Sequence, residues 1–220
     1  MISIFASRRR TMRKSLVIAL LCAGAALGQD TKPVVLPPPQ TDGGRPLMQA
    51  LKERKTSREF ASDKLPPQVL SNLLWAAFGI NRPEGKRTAP SAMNWQEIDI
   101  YVATADGLFT YDAKANRLEP VLAQDVRAAT GTQPFVASAP LDLVYVADLA
   151  KTGGAGSGDT ELYTSADAGF IAQNVYLFCA SEGLATVVRG SVDRAALAKV
   201  MKLRSDQKIV LAQTVGYPKK

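Results

Sequence analysis

The chain has 220 residues, no histidine and two cysteines, with 46% hydrophobic and 21% charged residues. Without an imidazole it cannot build a Ser-His-Asp or Cys-His nucleophile system or a metal centre with histidine ligands. The formal charge of +7 does not mark a nucleic-acid surface: residues 1–28 carry five cations and no acid, which leaves 22 basic against 20 acidic residues and no basic stripe beyond them.

The first segment reads as an export signal. Arg8, Arg9, Arg10, Arg13 and Lys14 precede an apolar run over residues 16–27, and Ala26-Leu27-Gly28 ahead of Gln29 places small residues where a signal peptidase cuts. At about 12 residues the run is too short to span a bilayer of ~30 Å as a helix. The expectation is cleavage after Gly28, a periplasmic or secreted protein, and no stable membrane insertion. Ser7-Arg8-Arg9-Arg10-Thr11-Met12-Arg13 is loosely similar to a twin-arginine signal, while a start at Met12 gives an ordinary Sec signal. Cys22 leaves with this leader, so Cys179 remains as a lone thiol inside an apolar helical stretch and reads as a core residue.

Residues 29–44, with Pro33, Pro37, Pro38, Pro39, Gly43 and Gly44, read as an extended, poorly structured linker, and residues 45–220 as one domain. Pro46 can open a first helix with Leu47, Ala50 and Leu51 at helical spacing. Pro66-Pro67 opens a second, through Leu70, Leu73, Leu74, Ala77 and Phe78 to a stop at Gly79. Residues 85–94 are loop-rich. Residues 98–103 and 108–111 alternate as the two strands of a hairpin across Asp106-Gly107, and residues 141–146 form a third strand. A long, largely buried helix covers about 160–182. A short buried segment follows at 185–188, then a helix capped by Asp193 over 195–201, and a closing strand over 209–215. The mixture lacks strict βαβ alternation, so the class is α+β.

Two local clusters carry chemistry. Arg54-Lys55-Thr56-Ser57-Arg58 places three cations and two hydroxyls just beyond the first helix. That set can grip a phosphate through guanidinium forks and hydroxyl donors; it is also what a basic, solvent-facing helix end looks like. Ahead of the first strand, Asn94 and Gln96 offer uncharged donors and acceptors that suit the edge of a heterocycle, or that simply cap the loop. Trp75 and Trp95 read as packing residues. No metal site is expected.

The order and spacing of these pieces resemble the nitroreductase family of flavoproteins, and within it the branch that includes dehydrogenases acting on azoline-containing peptides. The likeness spans residues 45–218. It rests on Arg54-x-Thr56-x-Arg58-x-Phe60, on Pro90-Ser91-x-x-Asn94, on the helix running from Asp167 through Gln173-Asn174 to Leu177, on Gly183-Leu184-x-Thr186 with the turn at Arg189-Gly190, and on Val215-Gly216-Tyr217-Pro218. The resemblance implies a central, mainly antiparallel sheet flanked by helices, and FMN bound at a homodimer interface. It implies that Arg54 and Thr56 hold the phosphate, that Arg58 reaches the phosphate, ribityl chain or pyrimidine edge, and that Asn94 faces the isoalloxazine with Ser91 supporting its loop. Backbone groups of Arg189 and Gly190 would lie near flavin N5 and O4, and Lys219 or Lys220 would supply a further cation. No single catalytic side chain is implied, because the cofactor stores the electrons.

The activity that follows is an exported FMN-dependent oxidoreductase working by a ping-pong exchange between small-molecule donor and acceptor. A non-catalytic flavin-binding module, or a dehydrogenase of peptide heterocycles, are alternatives on the same scaffold. This sequence departs from the family pattern at Glu97, where many members have proline, and at Arg189, a position often acidic in the small bacterial reductases.

Overall fold

A computed structural model describes residues 1, 32–153 and 158–220. The proposed leader and residues 154–157 lie outside the described residues.

The fold is built on a strand whose two faces are both covered. Strand β5 (Leu141–Asp148) is buried at all eight positions, which is why it reads as a nearly continuous apolar run. Leu141, Leu143, Tyr145 and Ala147 pack into one core, and Val144 and Val146 into a second on the other face. Its neighbour β2 (Ile98–Thr104) alternates the same way: Ile98, Ile100 and Val102 face the first core, Tyr101 and Ala103 the second.

Around this pair the sheet extends through β3 (Gly107–Asp112), β4 (Arg117–Leu122) and β1 (Val34–Val35) on one side. On the other side come β7 (Gln207–Gly216) and β6 (Ala185–Arg189). The order is β1-β4-β3-β2-β5-β7-β6, with every pairing antiparallel. The β2–β3 hairpin turns at Thr104–Gly107 as expected, with Gly107 at φ +145, where a side chain would be strained.

Helices α2 (Pro67–Phe78) and α3 (Gly158–Glu182) cover the first face, contributing Leu73, Leu74, Ala77, Ile171 and Val175. Helix α4 (Arg194–Val200) covers the second with Leu197, backed by Met201. Asp193 caps α4 by accepting from the Ala196 N–H at 3.0 Å, as the sequence indicates. Cys179 sits 1% exposed in the first core. Burial pushes its thiol well above the ordinary range, so it packs rather than reacts. Among the described residues no helix is long and apolar enough to cross a membrane, and no group of three or more metal-ligating side chains occurs.

Two elements differ from the sequence reading. β4 was not expected, because Glu119 and Pro120 interrupt its alternation; it is accommodated as a partner of β3 with a register shift opposite Leu108 and Phe109. The Pro-rich segment is not a loose linker from Pro33 onward. Val34 and Val35 pair with β4, and Leu36 is buried at 4%. Proline removes donors but leaves carbonyls, and these are bound: Ser71 Oγ donates to Pro37 O at 2.6 Å, Asn116 Nδ2 to the same oxygen at 2.8 Å, and Gln68 Nε2 to Pro38 O at 2.9 Å.

Candidate functional site

Helix α1 (Leu47–Glu53) ends at Arg54, where the backbone turns to ψ 120 and leaves the helix. The following segment is extended as far as Phe60, which bridges to Pro218. It is tied along α3 and β6. Ser57 N–H donates to Thr186 O at 3.0 Å, and Lys219 N–H to Glu59 O at 3.3 Å. Tyr176 organises the near end: its hydroxyl lies 3.0 Å from Thr56 Oγ1 and accepts from the Val188 N–H at 3.1 Å, while its ring underlies the Arg54 guanidinium at 5.2 Å.

Among the described residues, Arg54 and Arg58 are the arginines with no hydrogen-bonded or ion-paired acceptor; the others reach a carboxylate, a carbonyl or an amide. Two guanidinium groups next to a threonine hydroxyl, all without an anion, make a receptive surface for one. An adjoining cavity of about 570 Å³ is lined by Lys55, Ser57, Glu59, Tyr176, Thr186 and Lys219, among others. Its lining takes the residues that alternate with Arg54, Thr56 and Arg58, as an extended chain requires. Tyr176 was not singled out from sequence. It lies in the family-like central helix, but its role appears only when α3 packs beside residues 54–58.

The second cluster lies at the start of β2. Residues Ala92–Asn94 form a single 3-10 turn, and Met93, Asn94 and Gln96 all have positive φ, at 52, 54 and 49. Such backbone is uncommon for residues other than glycine, and a dense set of bonds holds it. Gln96 N–H donates to Ser91 Oγ at 2.8 Å, and Arg87 Nε to Gln96 Oε1 at 2.7 Å. Gln96 Nε2 donates to Gly85 O at 3.1 Å and to Asn94 Oδ1 at 3.2 Å. Asn94 itself is exposed. Trp95 packs edge-on against Tyr163 of α3.

Under this loop Glu97 is 0% exposed. Burial raises its carboxyl above the ordinary range, and the neighbouring Asp167 adds to the rise.

Arg189 lies at the end of β6 with its side chain turned into the protein, 2% exposed. Nη2 reaches Asp142 Oδ1 at 2.8 Å, Nη1 reaches Thr130 O at 2.7 Å, and Nε reaches Thr214 Oγ1 at 3.0 Å. Burial holds the Asp142 carboxyl up, to about 6, against the pull of the Arg189 charge. The next residue, Gly190, is exposed.

One protomer does not bring all these residues together. Thr56 meets α3 at Tyr176, and the 90–96 loop meets it at Asp167, whose Oδ2 accepts from the Ala92 N–H at 2.9 Å. Nine helical residues separate those anchors by about 13 Å along the axis and by about half a turn around it. They flank opposite sides of the buried stripe made by Ala168, Ile171, Ala172 and Val175. Thr56, Arg54 and Lys219 thus gather on one flank, and Ser91 and Asn94 on the other.

Comparison with known proteins gives a consistent result. A family model described as "Nitroreductase family" matches residues 51–217. A protein named "Putative nitroreductase" from Methanocaldococcus jannaschii is 30% identical over 168 residues, covering 72% of this chain and 85% of that one. The crystal structure of a "putative nitroreductase" from Ralstonia eutropha JMP134 is 44% identical, covers 89% of this chain and 93% of that chain, and superposes with a TM-score of 0.83. The NADPH:FMN oxidoreductase of Vibrio harveyi, solved with NAD+, shares the fold at 19% identity and a TM-score of 0.60, over 79% of this chain and 69% of that one.

Proposed function

This chain belongs to the nitroreductase family of oxidoreductases, and on that premise we propose that it is an FMN-dependent oxidoreductase of small molecules, acting as a homodimer outside the cytoplasm. The observation that carries the cofactor reading is the acceptor-free pair Arg54 and Arg58 beside Thr56, whose hydroxyl is held at 3.0 Å by Tyr176, the ring beneath the Arg54 guanidinium. This donor set fits a phosphate monoester: guanidinium forks and a hydroxyl meet its oxygens without displacing an existing ion pair.

In this reading Arg54 and Thr56 hold the phosphate, with Tyr176 keeping both in place. Lys219 adds a cation, and Arg58 reaches further along the cofactor. Asn94, supported by Ser91 through Gln96, presents its amide to the ring edge, and backbone groups at the Arg189-Gly190 turn border the reactive face. FMN, when bound, supplies two-electron storage through N5. The chain's residues orient it and place positive charge near the edge that becomes anionic on reduction. Donor and acceptor then use one open face in turn, a ping-pong exchange.

The placement of the two clusters on opposite flanks of α3 supports a dimer in which each site takes the phosphate grip from one copy and the 90–96 loop from the other. Exposed apolar side chains support the same reading: Leu47, Met48 and Leu51 on α1 are 62%, 75% and 43% exposed, and Phe170 on α3 is 48% exposed. Export rests on the leader over residues 1–28.

Adding FMN to the purified chain tests the core of this reading. The expected result is a stoichiometric flavin spectrum that bleaches with a suitable reductant and returns with an acceptor. A chain that takes up no FMN overturns it.

A further inference from the structure

The two buried carboxyls beneath the 90–96 loop have no cation to balance them. Glu97 is 0% and Asp167 2% exposed, and the two side chains converge on adjacent loop residues, Glu97 on the Ser91 hydroxyl and Asp167 on the Ala92 N–H. Among the described residues neither takes part in an ion pair. The charged groups around them are committed elsewhere. Asp148, whose N–H donates to Glu97 O, pairs with Arg204; Asp99 of β2 pairs with Lys151; Arg87 donates to Gln96 and to Phe78 O.

Both carboxyls hold the entry of the strained loop, at the adjacent residues Ser91 and Ala92. Asp167 Oδ2 accepts from the Ala92 N–H at 2.9 Å. Glu97 Oε2 accepts from Ser91 Oγ at 3.3 Å, and Ser91 Oγ in turn accepts from the Gln96 N–H at 2.8 Å. The remaining oxygen, Glu97 Oε1, is buried with no donor. A buried acceptor left without a donor is costly, and two adjacent carboxylates cannot both stay ionised in such a place. One proton held between them removes both problems.

We propose that Glu97 and Asp167 share a single proton and act as a positioning pair that fixes the 90–96 loop, and with it Asn94, in the shape that receives the cofactor. The consequence for the cofactor rests on the flavin reading above; the shared proton and the loop do not. Neither residue touches the reacting atoms.

The sign of the pH effect follows from linkage. The folded chain keeps the proton to a higher pH than the unfolded chain does. The pair's contribution is therefore complete below the ordinary carboxyl range and is lost as pH rises through the raised native value. Above that value two buried negative charges repel and the loop loses its hold.

The test uses the full chain carrying Trp75→Phe, so that Trp95, packed on Tyr163, reports the loop. Its emission is followed from about pH 5 to pH 9, with FMN affinity measured by flavin quenching at each pH. The expected result is a one-proton transition in Trp95 emission, with FMN affinity falling up to about tenfold per pH unit beyond it. Glu97→Gln keeps the neutral, low-pH spectrum throughout and removes the pH dependence. Asp167→Asn, which keeps an acceptor for Ala92, moves the transition toward the ordinary carboxyl range. A Glu97→Gln variant that retains the wild-type transition, or a wild-type chain with none, overturns the proposal. No FMN uptake at any pH, with the Trp95 transition present and abolished by Glu97→Gln, upholds the pair and overturns the flavin reading instead.

Discussion

Arg189 and Asp142 form an ion pair buried at both ends, 2.8 Å apart with side chains 1% and 0% exposed. It joins the end of β6 to β5 across β7; Thr214 and Thr130 add hydrogen bonds to it, while Asp142 Oδ2 stays buried without a donor. Thr130 belongs to the turn beside Gly131, whose missing side chain leaves room for the Arg189 guanidinium; a Cβ there would overlap it. The pair therefore anchors the backbone of Arg189 and Gly190 where the cofactor's reactive face is proposed to lie.

Removing one partner of a buried pair strands the other charge. Arg189→Ala is expected to lower stability by about 3–5 kcal/mol, measured by denaturant unfolding. The paired substitution Arg189→Met with Asp142→Leu should recover most of that loss, because it removes both charges together. A single Arg189→Ala within experimental error of the wild type would show that the pair is not what holds this corner.

Arg54 has no acceptor to lose in the free protein. Arg54→Ala should leave the melting temperature of the cofactor-free chain nearly unchanged. It should weaken FMN binding by about 1.5–3 kcal/mol, the scale of a charge-assisted hydrogen bond. Calorimetric titration separates the two effects. Unchanged binding would return Arg54 to the role of a solvated helix end.

Tyr176→Phe retains the ring beneath Arg54 and removes only the hydroxyl that serves Thr56 and Val188. The expected cost is about 1 kcal/mol in stability, with a weaker grip on FMN that Thr56→Ala reproduces. A double substitution should add little beyond either single one, since both remove the same contact.

The exposed apolar residues of α1 and α3 give a separate test of assembly. Met48→Glu combined with Phe170→Glu should move the protein from dimer to monomer in sedimentation and reduce FMN binding with it. A monomeric wild type that binds FMN at full affinity would refute a site completed by a second copy.

Much of this protein is legible from residues alone. Period-two alternation marks β2 and β3, Pro67 and Asp193 mark helix starts, and the spacing of Arg54, Thr56 and Arg58 marks the phosphate-like cluster, because each of these signals is local. β4 is hidden because Pro120 breaks its alternation and only the neighbouring β3 compensates. The Pro33–Pro39 stretch looks unstructured because what binds its carbonyls are side chains 30 or more residues away, on α2 and at Asn116.

The absence of histidine, the α+β class and the family likeness are properties of composition and order, and they stand without coordinates. What only the folded chain decided is which groups share a space. It turned the Arg189 side chain inward onto Asp142, set Tyr176 under Arg54, and split the proposed site across two flanks of α3. It also closed Glu97 against Asp167 with no cation between them. Burial and partnership between residues far apart in sequence depend on how helices and strands pack, and that packing sets the charge state of each group.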